Sequence, residues 1–137
     1  KFRGGSPLQN QIIRNIKTSK ITLFKMDKRL DAGPIIIARK FSLEGHLNEI
    51  FNRLTVIGTA LTLKVFKNNF KLKKQNDKIA TYFKRRKPEE SEITLNEIKN
   101  KSSKYLINKI RMLEDPYPNA YIKTKDGKKI IIKSIQL

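Results

Sequence analysis

The sequence contains no cysteine and no tryptophan, and its single histidine is at position 46. Without cysteine the chain can form neither disulfide bonds nor thiolate metal sites, and one histidine cannot build a histidine cluster for a metal ion. No apolar run approaches the ~20 residues that a membrane-spanning helix requires. We therefore expect no metal site and no membrane insertion, and the composition is compatible with a cytoplasmic location.

Acidic residues are also few: 12 Asp and Glu accompany 31 Lys and Arg, which gives a formal net charge of +19. Such a charge commonly indicates nucleic-acid binding, although a composition rich in Lys, Asn and Ile also follows from A/T-rich codons. Residues 64–87, the basic run, hold ten Lys and Arg and one acid, with aromatic residues interleaved as on a single-strand stacking surface. A solvated surface is favoured, and an anionic partner such as a nucleotide or a tRNA stays open.

Hydrophobic patterning in the first half of the chain predicts a mixed α/β arrangement. Ser6 and Pro7 suit a helix start, because serine caps free N–H groups and proline fits the first turn. Strands are predicted at 20–26 and 34–41 around a loop, followed by a helix from residue 47 to about residue 70. The unbroken isoleucines of the second strand favour burial on both faces. We interpret this half as the C-terminal part of a doubly wound, Rossmann-like domain whose missing N-terminal half precedes Lys1.

Residues after the basic run predict a small appendage, and we place a boundary near Gln75, which divides the chain into 1–75 and 76–137. An amphipathic helix is expected at 94–113, where Thr94 and Glu97 have the spacing of a capping box. Two strands at 120–124 and 128–134 flank Asp126-Gly127, which is typical of a β-hairpin turn. His46 precedes the long helix of the first half, and we expect a helix-entry or surface role for it.

Asp31 lies in the loop before the second predicted strand, where an aspartate is commonly a turn residue that bonds its own backbone. Its surroundings change that interpretation. Six separated segments, in this order, resemble the second half of the catalytic domain of 10-formyltetrahydrofolate-dependent formyltransferases: Phe2–Gly4, Ser6–Gln9, Met26–Asp27, Asp31–Ile36, Arg85–Ser91 and Asp115–Pro118.

The resemblance implies that Asp31 is the catalytic carboxylate and that an Asn-x-His pair before Lys1 supplies the other catalytic groups. A carboxylate can move protons between the attacking and leaving nitrogens, and His or Asn can donate to the formyl oxygen. The implied co-substrate is 10-formyltetrahydrofolate, whose pterin ring would lie against the loop. The implied folate-binding residues are Met26, Asp27, Leu30, Asp31 and Gly33. The substrate-binding candidates are Arg3, Gly4, Arg85 and Arg86.

Two anionic molecules are candidates for the amine acceptor, a sugar nucleotide and a tRNA. Ser6–Gln9 and Gly33-Pro34-Ile35 resemble the sugar-nucleotide formyltransferases, and the hairpin after Ala120 is too short for the barrel that follows the catalytic domain of methionyl-tRNA formyltransferases. The basic charge favours tRNA. We expect a sugar nucleotide, with tRNA as the alternative and a formyltransferase of purine synthesis disfavoured. A homodimer and a non-catalytic binding module stay open.

Overall fold

The computed structural model describes residues 2–136. Two single turns of 3-10 helix cover Asp77–Ile79 and Pro88–Ser91. The strands and α-helices are, in chain order, β1 (Arg3–Gly4), α1 (Pro7–Ile13), β2 (Thr18–Phe24), β3 (Ile35–Ser42), α2 (Leu47–Lys67), β4 (Tyr82–Phe83), α3 (Leu95–Asn100), α4 (Ser103–Arg111), β5 (Ala120–Lys123) and β6 (Lys129–Ile132).

Strands β2 and β3 form an antiparallel pair joined by the predicted loop, with Thr18 opposite Ser42. Parallel pairing, the habit of doubly wound sheets, is found between β1 and β4, which are two residues long each. The expected burial of β3 on both faces is wrong for the described residues, because Ala38, Arg39 and Lys40 are exposed. Within residues 2–136 β2 pairs with β3 alone, so one edge of this sheet is open, as the interpretation of the chain as part of a domain expects.

Helix α2 confirms the long amphipathic helix and ends three residues before the predicted Phe70. Its apolar stripe buries Leu47, Ile50 and Leu61, because residues three and four apart share one helix face. Of the helices within residues 2–136, not one combines the length and the apolar character needed to cross a bilayer.

The second predicted helix, at 94–113, is wrong as a single element. The Thr94–Glu97 capping box forms as predicted, with both reciprocal hydrogen bonds at 3.1 Å. Helix α3 nevertheless stops at Asn100, and the Ser102 side chain accepts from the backbone N–H of Tyr105 at 3.3 Å. A serine that caps a new helix terminates the old one, because its own backbone is extended rather than helical.

The predicted β-hairpin is confirmed as β5 and β6, which pair antiparallel from Ala120 opposite Ile132. Gly127 has a φ of 79°, the left-handed conformation that the turn requires and that glycine adopts without steric cost.

One hydrophobic core contains residues from both sides of position 75. Arg111 is 7% exposed beside it and donates to the carbonyl oxygens of Leu43 and Gly45 at 2.6 and 2.7 Å. The two predicted segments therefore pack against each other, and their division into separate units stays a prediction. The buried members of the core are Ile12, Phe41, Leu43, Leu47, Ile50, Ile93, Ile110, Met112, Leu113 and Ala120.

Candidate active site

The loop between β2 and β3 carries the candidate catalytic carboxylate. The N–H of Lys25 donates to the carbonyl oxygen of Pro34 at 2.9 Å and closes the base of the loop. A Cβ on Gly33 would overlap the carbonyl oxygen of Lys25, so glycine permits this close approach. Asp31 has a φ of 50°, a left-handed conformation that Asp and Asn tolerate better than most residues. Local sequence thus permits the narrow base of the loop and the left-handed backbone of Asp31.

The Asp31 carboxylate joins two segments that are distant in the sequence. Its Oδ2 accepts a hydrogen bond from the backbone N–H of Gly4 at 2.9 Å. In the described part of the chain Asp31 belongs to no ion pair. A carboxylate that is oriented by an N–H, without a fixed cation on it, keeps lone pairs with which to take up a proton.

Gln75, which is 44 residues after Asp31 in the sequence, holds the backbone of this loop. Its Nε2 donates to the carbonyl oxygens of Asp31 and Gly33, at 3.0 and 2.7 Å. Its Oε1 accepts from Nη2 of Arg3 at 2.8 Å. We call Gln75 with these three contacts the Gln75 clamp. The clamp binds the Asp31 loop and the β1 segment through a single side chain.

Arg3 is 4% exposed, and its guanidinium has further partners inside the molecule. Its Nη1 donates to the hydroxyl of Tyr82 at 2.8 Å and lies 2.9 Å from Oδ1 of Asp77. The other Asp77 oxygen is 2.9 Å from Arg29, which also reaches Asp27 at 3.3 Å. Hydrogen bonds from Arg3, and next from Arg29, lower the pKa of the Asp77 carboxyl. Asp77 is therefore the anionic centre that links the two arginines.

Three of the five predicted folate-binding residues form the exposed end of the loop, namely Met26, Asp27 and Leu30, whereas Asp31 is half-buried and Gly33 is buried. Met26 is 89% exposed and Leu30 65%, an arrangement that presents apolar side chains to solvent. A flat heterocycle with a donor and acceptor edge could pack on these side chains and bond to loop backbone groups. The assignment of Met26, Asp27 and Leu30 to the folate stays a prediction.

The predicted substrate-binding residues differ in how far they are engaged in contacts within the molecule. The guanidinium of Arg3 lies in the clamp, and the N–H of Gly4 is bonded to Asp31. Nη2 of Arg86 donates to the carbonyl oxygen of Glu90 at 2.7 Å, whereas Arg85 is exposed. The substrate role of all four stays a prediction, and the contacts of Arg3 favour a positioning role for it.

Ser6 does not cap helix α1 as predicted. Its φ is 48°, and its side chain makes no capping bond. The hydroxyl instead accepts from the backbone N–H of Arg86 at 3.1 Å. This bond holds the segment around Arg85 against the β1 segment, where a Cβ on Gly5 would overlap the backbone of Arg85.

His46 is the N-cap residue of α2, which confirms its predicted helix-entry role. Its Nδ1 lies 2.7 Å from Oε1 of Glu114, and the other Glu114 oxygen accepts from the N–H of Leu47 at 2.8 Å. Its contacts thus lie at the helix terminus, away from the loop of Asp31.

Sequence reasoning missed Gln75 and Asp77 as parts of the site. They lie more than 40 residues after Asp31, on a connector without helical or strand periodicity, so no pattern placed them. An available signal was Asp77, the single acid in a basic run, because an isolated acid among many cations commonly pairs with one of them.

Comparisons with known proteins agree with the resemblance that the sequence carries. No protein-family model matches the chain. A methionyl-tRNA formyltransferase of Rickettsia massiliae is 34% identical over 131 residues, which are 92% of this chain and 41% of the relative. The chain thus spans about two fifths of the length of that curated relative.

Solved formyltransferases share the fold. The methionyl-tRNA formyltransferase of Clostridium thermocellum is 37% identical with a TM-score of 0.78, covering 96% of this chain and 64% of that one. A likely sugar N-formyltransferase of Mycobacterium tuberculosis is 24% identical with a TM-score of 0.81, covering 97% and 59%. A sugar 3N-formyl transferase, solved in the presence of dTDP and 5-N-formyl-THF, is 22% identical with a TM-score of 0.69, covering 82% and 42%. By sequence and by fold, the chain belongs to the formyltransferase family and represents part of its mixed α/β architecture.

Proposed function

We propose that the protein containing this chain transfers a formyl group from 10-formyltetrahydrofolate to an amine. The observation that carries the proposal is the Asp31 carboxylate, oriented by the Gly4 N–H at 2.9 Å on a loop with an exposed apolar end. Membership of the formyltransferase family and a solved neighbour prepared with a formyl-THF support the folate donor.

In this proposal the amine nitrogen attacks the formyl carbon, a new C–N bond forms, and the bond from that carbon to the folate nitrogen breaks. The attacking nitrogen must lose a proton, and the leaving nitrogen must gain one. Asp31 would accept the first proton and return it to the folate nitrogen, so the carboxylate is regenerated in each turnover. The expected upstream Asn and His would stabilise the oxyanion.

The acceptor that we propose first is a nucleotide-linked amino sugar. The support is the Gly33-Pro34-Ile35 sequence in the loop that also carries Asp31. The names of the relatives do not decide the acceptor, because solved members of both acceptor classes superpose on nearly the whole chain, with TM-scores of 0.78 and 0.81. Arg85, with its exposed guanidinium, is the candidate for contact with a phosphate.

The second candidate acceptor is methionyl-tRNA. Nine of the ten basic side chains in the basic run are exposed, which suits a large polyanion. The Rickettsia massiliae relative and the Clostridium thermocellum structure, 34% and 37% identical, are both methionyl-tRNA formyltransferases, which favours the same acceptor. A cytoplasmic location fits either acceptor and belongs to this proposal.

The test supplies the full-length protein with 10-formyltetrahydrofolate and either dTDP-linked amino sugar or initiator methionyl-tRNA, and measures the formylated product. We expect transfer to the sugar nucleotide, and tRNA binding that is lost by ~200 mM salt, since phosphate-dominated binding weakens steeply with salt. Transfer to methionyl-tRNA, with discrimination against other tRNAs at that salt concentration, would replace the first acceptor by the second. Transfer to neither would favour the binding-module alternative.

A further inference from the structure

We infer that Gln75 is a positioning residue for the reaction, acting through the backbone of the Asp31 loop. The inference rests on the proposed function, because it assigns to Gln75 the orientation of the proposed catalytic carboxylate. Part of the active site would then lie on the connector after α2, where the sequence predicts the boundary between 1–75 and 76–137.

Gln75 is itself held in place by the strand that follows the loop. Two residues before it, Lys73 and Ile35 exchange both backbone hydrogen bonds, at 2.8 and 2.9 Å. The connector therefore runs along the start of β3, directly after Gly33 and Pro34. This pairing delivers the Gln75 side chain, which is partly buried, to the carbonyl groups of the loop.

The contacts of Gln75 use the particular chemistry of a primary amide. Nε2 donates both its N–H groups, to the carbonyl oxygens of Asp31 and Gly33, while Oε1 accepts from Arg3. Glutamate could bond to Arg3 but has no donor for the carbonyls, and leucine has neither donor nor acceptor. Glutamine therefore satisfies three partners that a residue of similar size does not.

Of the two carbonyls, the one on Asp31 belongs to the peptide group next to the Cα that carries the side chain, and the one on Gly33 lies two residues later. Asp31 has a φ of 50°, so its backbone needs support from surrounding contacts to stay in the left-handed conformation. The Gln75 clamp holds the carbonyl of Asp31 itself, and the Gly4 N–H holds the carboxylate. If the clamp is lost, the carboxylate can keep its charge and still point away from the reacting nitrogens.

The experiment measures kcat and KM of the full-length protein and its Gln75→Leu, Gln75→Glu and Gln136→Leu variants. We expect kcat to fall roughly 10- to 100-fold in both Gln75 variants, because small displacements of a reacting group have effects of this size. The KM for the amine acceptor should stay within about twofold, because the three contacts of Gln75 are all made inside the molecule and the inference assigns it no contact with the acceptor. Gln136, exposed near the end of the described residues, is the matched control and should leave both constants unchanged.

A double-mutant cycle separates positioning from general stability. If Gln75 acts through Asp31, Gln75→Leu should lower the residual rate of an Asp31→Asn protein by less than about twofold, because its target is already lost. An equal loss in both backgrounds, or a Gln75→Leu protein within about threefold of wild type, would overturn the inference. Failure of both Gln75 variants to fold would overturn it too, in favour of a purely structural role. An inactive but folded wild-type protein would instead contradict the proposed function.

Discussion

Replacement of Asp31 by Asn or by Ala should separate the structural from the chemical role of this carboxylate. Asn keeps an oxygen that can accept from the Gly4 N–H, and it tolerates the left-handed backbone at φ 50°. Exchange of a charged for a neutral acceptor should cost about 1 kcal/mol of the free energy of unfolding. Ala loses the acceptor and is less tolerant of that backbone, so it should cost roughly 2 kcal/mol.

The rate of formyl transfer should follow a different order from the stability. Both variants lack a group that can exchange a proton, so both should lower kcat roughly 100- to 10,000-fold, the usual range for general acid–base catalysis. Urea unfolding of the full-length variants gives the free energies, and a formyl-transfer assay gives kcat. His46→Ala is the control, because His46 lies at the start of α2 and should leave the rate nearly unchanged.

Activity of the Asp31→Asn protein within about threefold of wild type would refute this argument. Asp31 would then be a turn residue whose carboxylate serves the Gly4 contact alone. A large loss of rate in Asp31→Ala together with a fully active Asp31→Asn protein would lead to the same conclusion, since only the hydrogen-bond acceptor would matter.

Two further predictions concern the framework of the site. Gly33→Ala should lower both the free energy of unfolding, by roughly 1–3 kcal/mol, and the transfer rate, because the new Cβ would overlap the Lys25 carbonyl; unchanged urea unfolding would contradict the close approach. Burial by itself raises the pKa of Glu97, but hydrogen bonds from Lys109 and the Thr94 N–H outweigh it and hold the pKa below its usual value of 4.5. Because the pKa of Glu97 is lower in the folded state, the ionised Glu97 carboxylate stabilises the fold above pH 4.5. This stabilisation is lost as the pH falls through the folded-state pKa. Unfolding free energies below pH 4.5 should therefore fall less steeply in Glu97→Gln, and identical slopes would count against this ion pair.

Local patterns in the sequence predicted the elements whose stability is itself local. The α2 stripe, the Thr94–Glu97 capping box and the Gly127 turn depend on residues within a few positions of one another, and each of them is confirmed. The break at Ser102 was missed because the apolar spacing continues across it, while the serine cap competes with that spacing. The failure on β3 has another cause, since a run of isoleucines is compatible with one covered face as well as with two.

In the candidate site, too, features that depend on neighbouring residues were predicted and contacts between distant residues were not. The place of Asp31 on a loop followed from the glycine and proline after it, and the family resemblance supplied its proposed role. The Gln75 clamp joins residues 72 and 44 positions apart, and Glu114 reaches His46 across 68. Such contacts depend on the packing of the core and carry no periodic signal, so the sequence alone could not place them.

Glu114 makes the start of helix α2 depend on a residue that comes much later in the chain. The first turn of α2 has N–H groups without helical partners, and the one on Leu47 is bonded to a carboxylate that follows α4. The N-terminus of α2 is thus capped by a residue that follows α4. That hydrogen bond can form only when the entropic cost of bringing the two ends of the long intervening segment together has been compensated. Amide exchange at Leu47 should therefore report on whether α4 has docked, and we expect its exchange rate to follow that of the amides within α4.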